Sequence, residues 1–341
     1  MPHKGFFTQG AMVLTERPLA AEAVERALAP FSVVKRTPAE GEKNWIGGYP
    51  SWVIAWRPEV NGAVTVDVVD SPWPDNMGDP KNPGGQSLYA AWSMGFMGPM
   101  TWPGNLLRAT QYAEAFADKD AAAASKRHKA FVRVRSTYVL GASDNTKVMP
   151  EDYQARPELE FVTSVAAALA SAPEALCYFN PGGETLYTAA GLRKTMDECR
   201  QANLPPLPIW SMGRLSKIED APPWMFADVI GMEQLDAQDH EACFRRDTHD
   251  AAEVMSFLRN TTNYTLEHGP VIKDGHTTDG PGGVWRAMEL EEGLLPAPRP
   301  VLRWLPEDSD PPPLLGQPSK GRPLHSGAPG LFGRLKTLFD R

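Results

Sequence analysis

Cysteine is scarce in this chain: 341 residues hold only three, Cys177, Cys199 and Cys243, odd in number, far apart and in no C-x-x-C arrangement. That argues against a disulfide framework and fits a reducing compartment, since a chain this long buries enough surface to hold itself without staples. Long apolar runs are missing as well. Met1-Pro2-His3-Lys4-Gly5 leads to nothing longer than Ala11-Met12-Val13-Leu14, which is too short for a secretory signal, and no stretch approaches the roughly 18 apolar residues of a membrane helix. The expectation is a cytoplasmic protein with no membrane span. A block dense in Lys and Arg is also lacking; the nearest, Lys126-Arg127-His128-Lys129, reads as a solvated loop before a strand. With 34 Lys and Arg against 42 Asp and Glu, the net charge of −8 cannot supply the positive field that a phosphate backbone requires. Nucleic acid is therefore not an expected partner, whereas a basic protein is, because complementary charge speeds encounter and rejects wrong partners.

Signatures of familiar chemistry are absent too. Gly84-Gly85-Gln86 and Gly182-Gly183-Glu184 lack the Lys-Ser or Lys-Thr of a phosphate loop and read as turns. There is no Gly-x-Ser-x-Gly elbow, no His-Glu-x-x-His, and no kinase or dinucleotide fingerprint. No catalytic, cofactor-binding or metal set is assigned, and no cofactor is expected. Two groups of residues still have the right atoms for chemistry. His240-x-x-Cys243, with Asp247 and His249 nearby, offers zinc donors by type but not at a standard spacing, and Cys243 sits where a strand is expected, as a small core residue. His268, Asp274 and His276 surround Lys273-Asp274-Gly275; an acid beside imidazole suits proton transfer, which would make the chain a hydrolase or transferase. Asp-Gly is also the commonest tight-turn dipeptide, so a plain hairpin is the simpler reading.

What is present points to a packed α/β protein of the α+β type. The hydrophobic fraction is 42% and there are ten Trp, ample core material. Length and pattern predict two packed modules with mixed, largely antiparallel sheets and flanking helices, spanning 1–125 and 126–300, followed by a Pro-rich linker and short amphipathic tail helix over 301–341. Strands are expected over 11–14, 32–35, 52–56 and 63–69, with 131–139 opening the second module. Helices are expected over 105–116, from Pro157, over 189–202, and after Asp250, whose partner Glu253 three residues on makes a capping-box pair. Residues 204–210 should run extended into a strand, strands should follow over 226–232 and 241–245, and 284–290 should close the body.

Two segments carry candidate partner-binding residues. Between Ser71 and Thr101 the chain is dense in Pro, Gly, Trp and Met, and Trp73, Trp92 and Trp102 should cluster, either beneath the surface or as a patch for a partner. Beyond Pro311-Pro312-Pro313, residues Leu331, Phe332, Leu335, Leu338 and Phe339 fall on one helical face. Of these, Phe332, Leu335 and Phe339 are the expected anchors of a helix that orders when docked.

Five blocks in sequence order then resemble a known family: Gly98-Pro99-Met100-Thr101-Trp102-Pro103; His128-Lys129-Ala130-Phe131-Val132; Leu207-Pro208-Ile209-Trp210; Gly231-Met232 with Asp239-His240-Glu241; and Gly269-Pro270-Val271-Ile272-Lys273-Asp274-Gly275-His276-Thr277. Together they span most of residues 11–292. The chain resembles a bacterial domain-of-unknown-function family whose members lie in type VI secretion gene neighbourhoods. The family pattern ends in Asp-Gly-x-Thr, an aliphatic residue and Gly, and Thr278-Asp279-Gly280 departs from it. The resemblance implies a context of toxins and cognate immunity proteins. The leading expectation is an immunity protein that binds a basic toxin, with a nuclease as first choice. A secretion-system adaptor is the rival binding role, and a second copy of the chain is a further partner to consider.

Overall fold

A computed structural model describes residues 4–142, 146–295 and 299–316. By their contacts these residues divide into two units. The first runs through Met212 and includes Ile230–Asp236; the second is Gly213–Val229 with the chain from Ala237 onward. Among the described residues the strands form two sheets flanked by helices, the α+β architecture expected from the sequence.

In the first unit, β1 (Gln9–Thr15) and α1 (Ala21–Leu28) precede β2 (Val33–Thr37), β3 (Ser51–Ala55) and β4 (Ala63–Val69). Helices α2 (Pro83–Ser93), α3 (Asn105–Phe116) and α4 (Lys119–Ser125) lead to β5 (Ala130–Thr137), and α5 (Ala155–Leu169) to β6 (Ala175–Asn180) and β7 (Thr185–Tyr187). Helices α6 (Ala189–Gln201) and α7 (Leu207–Trp210) complete it. The sheet order is β2-β3-β4-β5-β1-β6-β7, and neighbouring strands are antiparallel. Strands β1, β4 and β5 are buried along their whole length, so the alternation of Phe131-Val132-Arg133-Val134-Arg135 places Arg133 and Arg135 inside the protein rather than on a solvent face. One face gathers Met12, Leu14, Phe131 and Phe179 with Trp73 and Trp92. Farther along that face Arg133 and Arg135 share the Asp67 carboxylate, and the Arg135 guanidinium lies 3.8 Å from the Phe7 ring centroid, a cation–π contact made strong by burial. Helix α5 packs on β1 and β5. From its first turn the buried Glu158 accepts hydroxyl hydrogen bonds from Thr8, Ser136 and Tyr138, and burial raises its carboxyl pKa against those bonds. Gly183 permits a close approach that no other residue would, because a Cβ there would stand 1.8 Å from the Trp210 carbonyl oxygen.

In the second unit, β8 (Met212–Lys217), β9 (Trp224–Ile230) and β10 (Asp239–Arg245) precede α8 (Ala251–His268). The hairpin β11 (Thr277–Gly280) and β12 (Gly283–Leu290), then β13 (Val301–Pro306) and α9 (Pro313–Gly316), follow. The order is β11-β12-β13-β10-β9-β8; β13 is parallel to β10 and antiparallel to β12. Helix α8 starts where the capping pair places it, with the Asp250 carboxylate accepting from the backbone N–H of Ala252 and Glu253 at 2.9 and 3.0 Å. One face of the sheet carries a buried ion network. Strand register aligns Asp228, Glu241 and Arg303 across β9, β10 and β13, and Arg303 Nε donates to Glu241 at 2.6 Å. Arg214 grips Asp228 with both Nε and Nη2, while Arg299 bridges Asp228 and Asp239. Three guanidiniums thus face three carboxylates, and Glu241 and Arg303 also bond the Leu294 N–H and the Leu315 carbonyl.

Three expectations are corrected. Strand β5, expected to open a second module after residue 125, is a central strand of the first sheet between β4 and β1; the Ala-rich link before it is helix α4, which packs on α3. Residues 301–306, assigned to a linker, form the fully buried strand β13, because prolines on both sides of Val301–Leu305 masked a short apolar run. Residues 207–210 are a helical turn rather than an extended entry. In the Pro- and Gly-rich segment, Gly84 and Gly85 lie in the first turn of α2, with Pro83 at its start and Asn82 capping it. Phe332, Leu335 and Phe339 lie outside the described residues.

Breaking the buried network on one side should be costly and removing a pair together should not. Arg303→Met or Glu241→Leu alone is expected to lower stability by roughly 3–5 kcal/mol, since each leaves a buried charge uncompensated, while the double variant recovers most of that loss. Urea unfolding of the three variants measures this.

Candidate functional site

A cleft of about 510 Å³ opens in the second unit between the middle of α8, the loop at Val271–Ile272 and strand β11, with Trp304 of β13 among its lining residues. Helix α8 supplies Phe257, Asn260, Thr261 and Tyr264. Spacing of three and four along the helix puts these on adjoining stripes. Phe257 turns inward onto Trp285 and Trp304, at 5.2 Å between centroids in each case, and Tyr264 stays exposed. Val271 is also exposed. The opposite wall is β11, an edge strand whose side chains are exposed from Thr277 to Asp279.

The hydrogen-bond phase of the β11–β12 hairpin decides what that edge offers. The Ala287 N–H donates to the His276 carbonyl at 2.8 Å, and the register pairs Thr278 with Trp285 and Gly280 with Gly283. Antiparallel pairs alternate, so Thr278 and Gly280 bond inward to β12, while the N–H and C=O of Thr277 and Asp279 point outward. Side chains alternate too. Thr278 shares the α8 face with its partner Trp285, and Thr277 and Asp279 occupy the other face. Among the described residues the Asp279 carboxylate has no ion pair or hydrogen bond.

Of the residues proposed for proton transfer, only His276 lines the cleft. Its Nδ1 accepts from the Lys273 N–H at 3.3 Å. Asp274 accepts from the Glu289 N–H at 3.1 Å, tying the turn to β12, and His268 stacks on Tyr264 at 4.3 Å with Nδ1 on the Tyr264 carbonyl. All three are exposed, and no hydrogen bond links any two of them. The turn at Asp274-Gly275 feeds β11, and the tight hairpin is the next one, at Pro281-Gly282.

The other donor group is split by the pleat of β10. His240 faces α8, with Nδ1 3.0 Å from Thr261 Oγ1 and the Trp304 indole N–H at 3.4 Å. Cys243, three residues on, points to the opposite face and packs with Phe226 and Leu305, where burial pushes its thiol up to about 12. Asp247 pairs with Arg245 and His249 packs on Trp285. No three His, Cys, Asp or Glu among the described residues could hold a metal ion.

The tryptophans separate as well. Trp73 and Trp92 are buried and meet edge to face at 5.6 Å, which makes them core, while Trp102 is about half exposed. Tyr264, Val271 and the β11 edge were missed in the sequence. A usable signal existed in the β-branched pair Thr277-Thr278 before Asp279-Gly280-Pro281-Gly282, a strand followed by turn residues.

Residues 228–305 match the model of a family described as a domain of unknown function, DUF4261. The match includes every residue that lines the cleft. No curated protein and no solved structure matches the chain. No helix among the described residues is long and apolar enough to cross a membrane.

Burial makes His240 a pH-dependent element of stability. Its pKa falls from the ordinary 6.5 to about 4 because desolvation disfavours the imidazolium. As pH drops through 6.5 the unfolded chain takes up this proton before the folded chain does, so stability is lost between about 6.5 and 4. Relative to His240→Asn, the chain should lose about 3 kcal/mol between pH 7 and pH 4. Denaturant unfolding of both across that range is the check, and a constant difference would mean that His240 titrates normally.

Proposed function

We propose that this chain is a binding protein, a cytoplasmic immunity protein that captures and silences a toxin delivered by a type VI secretion system. The observation that carries this reading is the open cleft beside a sheet edge that no described strand pairs with, lying wholly within the segment that matches the DUF4261 family. Its lining is mostly aromatic, aliphatic and hydroxyl side chains, the mixture that recognises a peptide surface through shape and a few polar contacts. The ionisable side chains on the buried face of the sheet are paired with one another, so that face has its polar groups satisfied within the fold. The net charge of −8 favours a basic partner, and a nuclease with a basic substrate groove is the first choice. The family resemblance supplies the secretion context.

Co-purification with the toxin encoded beside the gene, and survival of cells expressing that toxin, test the reading. The chain should bind the toxin and protect. Tyr264→Ala combined with Val271→Asp should weaken binding at least tenfold, about 1.4 kcal/mol or more, with an unchanged melting temperature. A chain that neither binds nor protects would overturn the proposal.

A further inference from the structure

We infer that the outer edge of β11 receives an extended segment of the partner as an added strand, with alternate partner side chains entering the cleft beneath α8. This deepens, and rests on, the reading of the cleft as the partner site. The backbone supplies the first reason: the N–H and C=O of Thr277 and Asp279 point away from β12 and offer the ladder that a further strand completes. Side-chain alternation supplies the second. A strand laid on this edge turns every other residue toward Thr278, Tyr264 and Val271 on the α8 side, where the lining is aromatic, aliphatic and hydroxyl. The residues between them lie beside Thr277 and Asp279 on the opposite face. Charge supplies the third reason. Arg286, across from Thr277, is already paired with Glu307, and the Asp279 carboxylate is exposed without an ion pair among the described residues. The segment that fits is therefore extended, aliphatic or hydroxylic on one face, and carries Lys or Arg on the other.

The test uses the full chain and a displayed library of random ten-residue peptides, with the selected peptides then synthesised and titrated. Expected are peptides of alternating β-branched and basic residues, whose binding slows amide hydrogen exchange at Thr277 and Asp279 and weakens at least tenfold in Thr277→Pro and in Asp279→Pro. Asp279→Lys should weaken the basic peptides several-fold. Both proline substitutions remove donors that face away from β12, melting temperatures report whether the hairpin survives, and the exchange measurement on the unaltered chain stands without them. Recovery of no peptide would overturn the inference. So would peptides that leave both amides unprotected, or self-association of the chain that occupies the β11 edge with a second copy. The two readings fail separately. Toxin binding that survives both proline variants but falls with Tyr264→Ala and Val271→Asp keeps the immunity reading and refutes the added strand. Peptides that behave as expected with a chain that ignores the toxin do the reverse.

Discussion

The second unit depends on how β13 is seated, and the Arg303–Glu241 ion pair seats it. The β11–β12 hairpin reaches β10 only through β13 in the strand order, so without that strand the hairpin has no sheet to belong to and the cleft loses a wall. Arg303 points to the network face, and its neighbour Trp304 therefore points to α8, where it meets Phe257. A slip of one residue would exchange them, placing a guanidinium under α8 and an indole among carboxylates. Buried ion pairs contribute little net stability compared with apolar packing. What this one contributes is register, because a misplaced buried charge costs far more than a misplaced methyl group.

The same economy of polar groups shapes the rest of the molecule. In the first unit Glu158 is surrounded by three hydroxyl donors, and Asp67 lies between two guanidiniums. In the second, His240 is held neutral by burial among threonines and an indole. These groups have the atoms of catalytic residues, but their partners come from the surrounding fold. The β11 edge differs in kind. Its hydrogen-bonding capacity is in the backbone, it is exposed, and no described strand pairs with its outer side.

Much of the architecture was legible in the sequence because its signals are local. Asp250 with Glu253 marked the start of α8, and helix 105–116 and strand 63–69 lie where their periodicity placed them. Errors arose where partners are distant. Strand β5 joins β1 across more than a hundred residues, and no local pattern says to which sheet a strand belongs. Strand β13 lay hidden between prolines, since its burial is decided by β10 and β12 on either side of it. The site was least legible of all. Trp73, Trp92 and Trp102 have the same composition signal, and only packing distinguishes the two in the core from the one at the surface. An edge strand cannot be recognised from its own residues, because being an edge is a statement about what does not pair with it.

An open edge is also a hazard, and β11 shows how it is contained. The strand is four residues long and ends at Gly280 before a tight turn, which limits the ladder it can offer to an unwanted strand. An exposed carboxylate at Asp279, on a chain of charge −8, sets like charges against each other if two copies approach edge to edge, and makes the same approach favourable for a basic segment. A four-residue ladder alone would give weak affinity, because ordering an extended segment costs conformational entropy for every residue fixed. The contacts under α8 must then supply the remainder. That requirement explains why the edge and the cleft lie side by side: backbone pairing sets the direction and register of the incoming segment, and the aromatic and aliphatic wall discriminates among the segments that can pair.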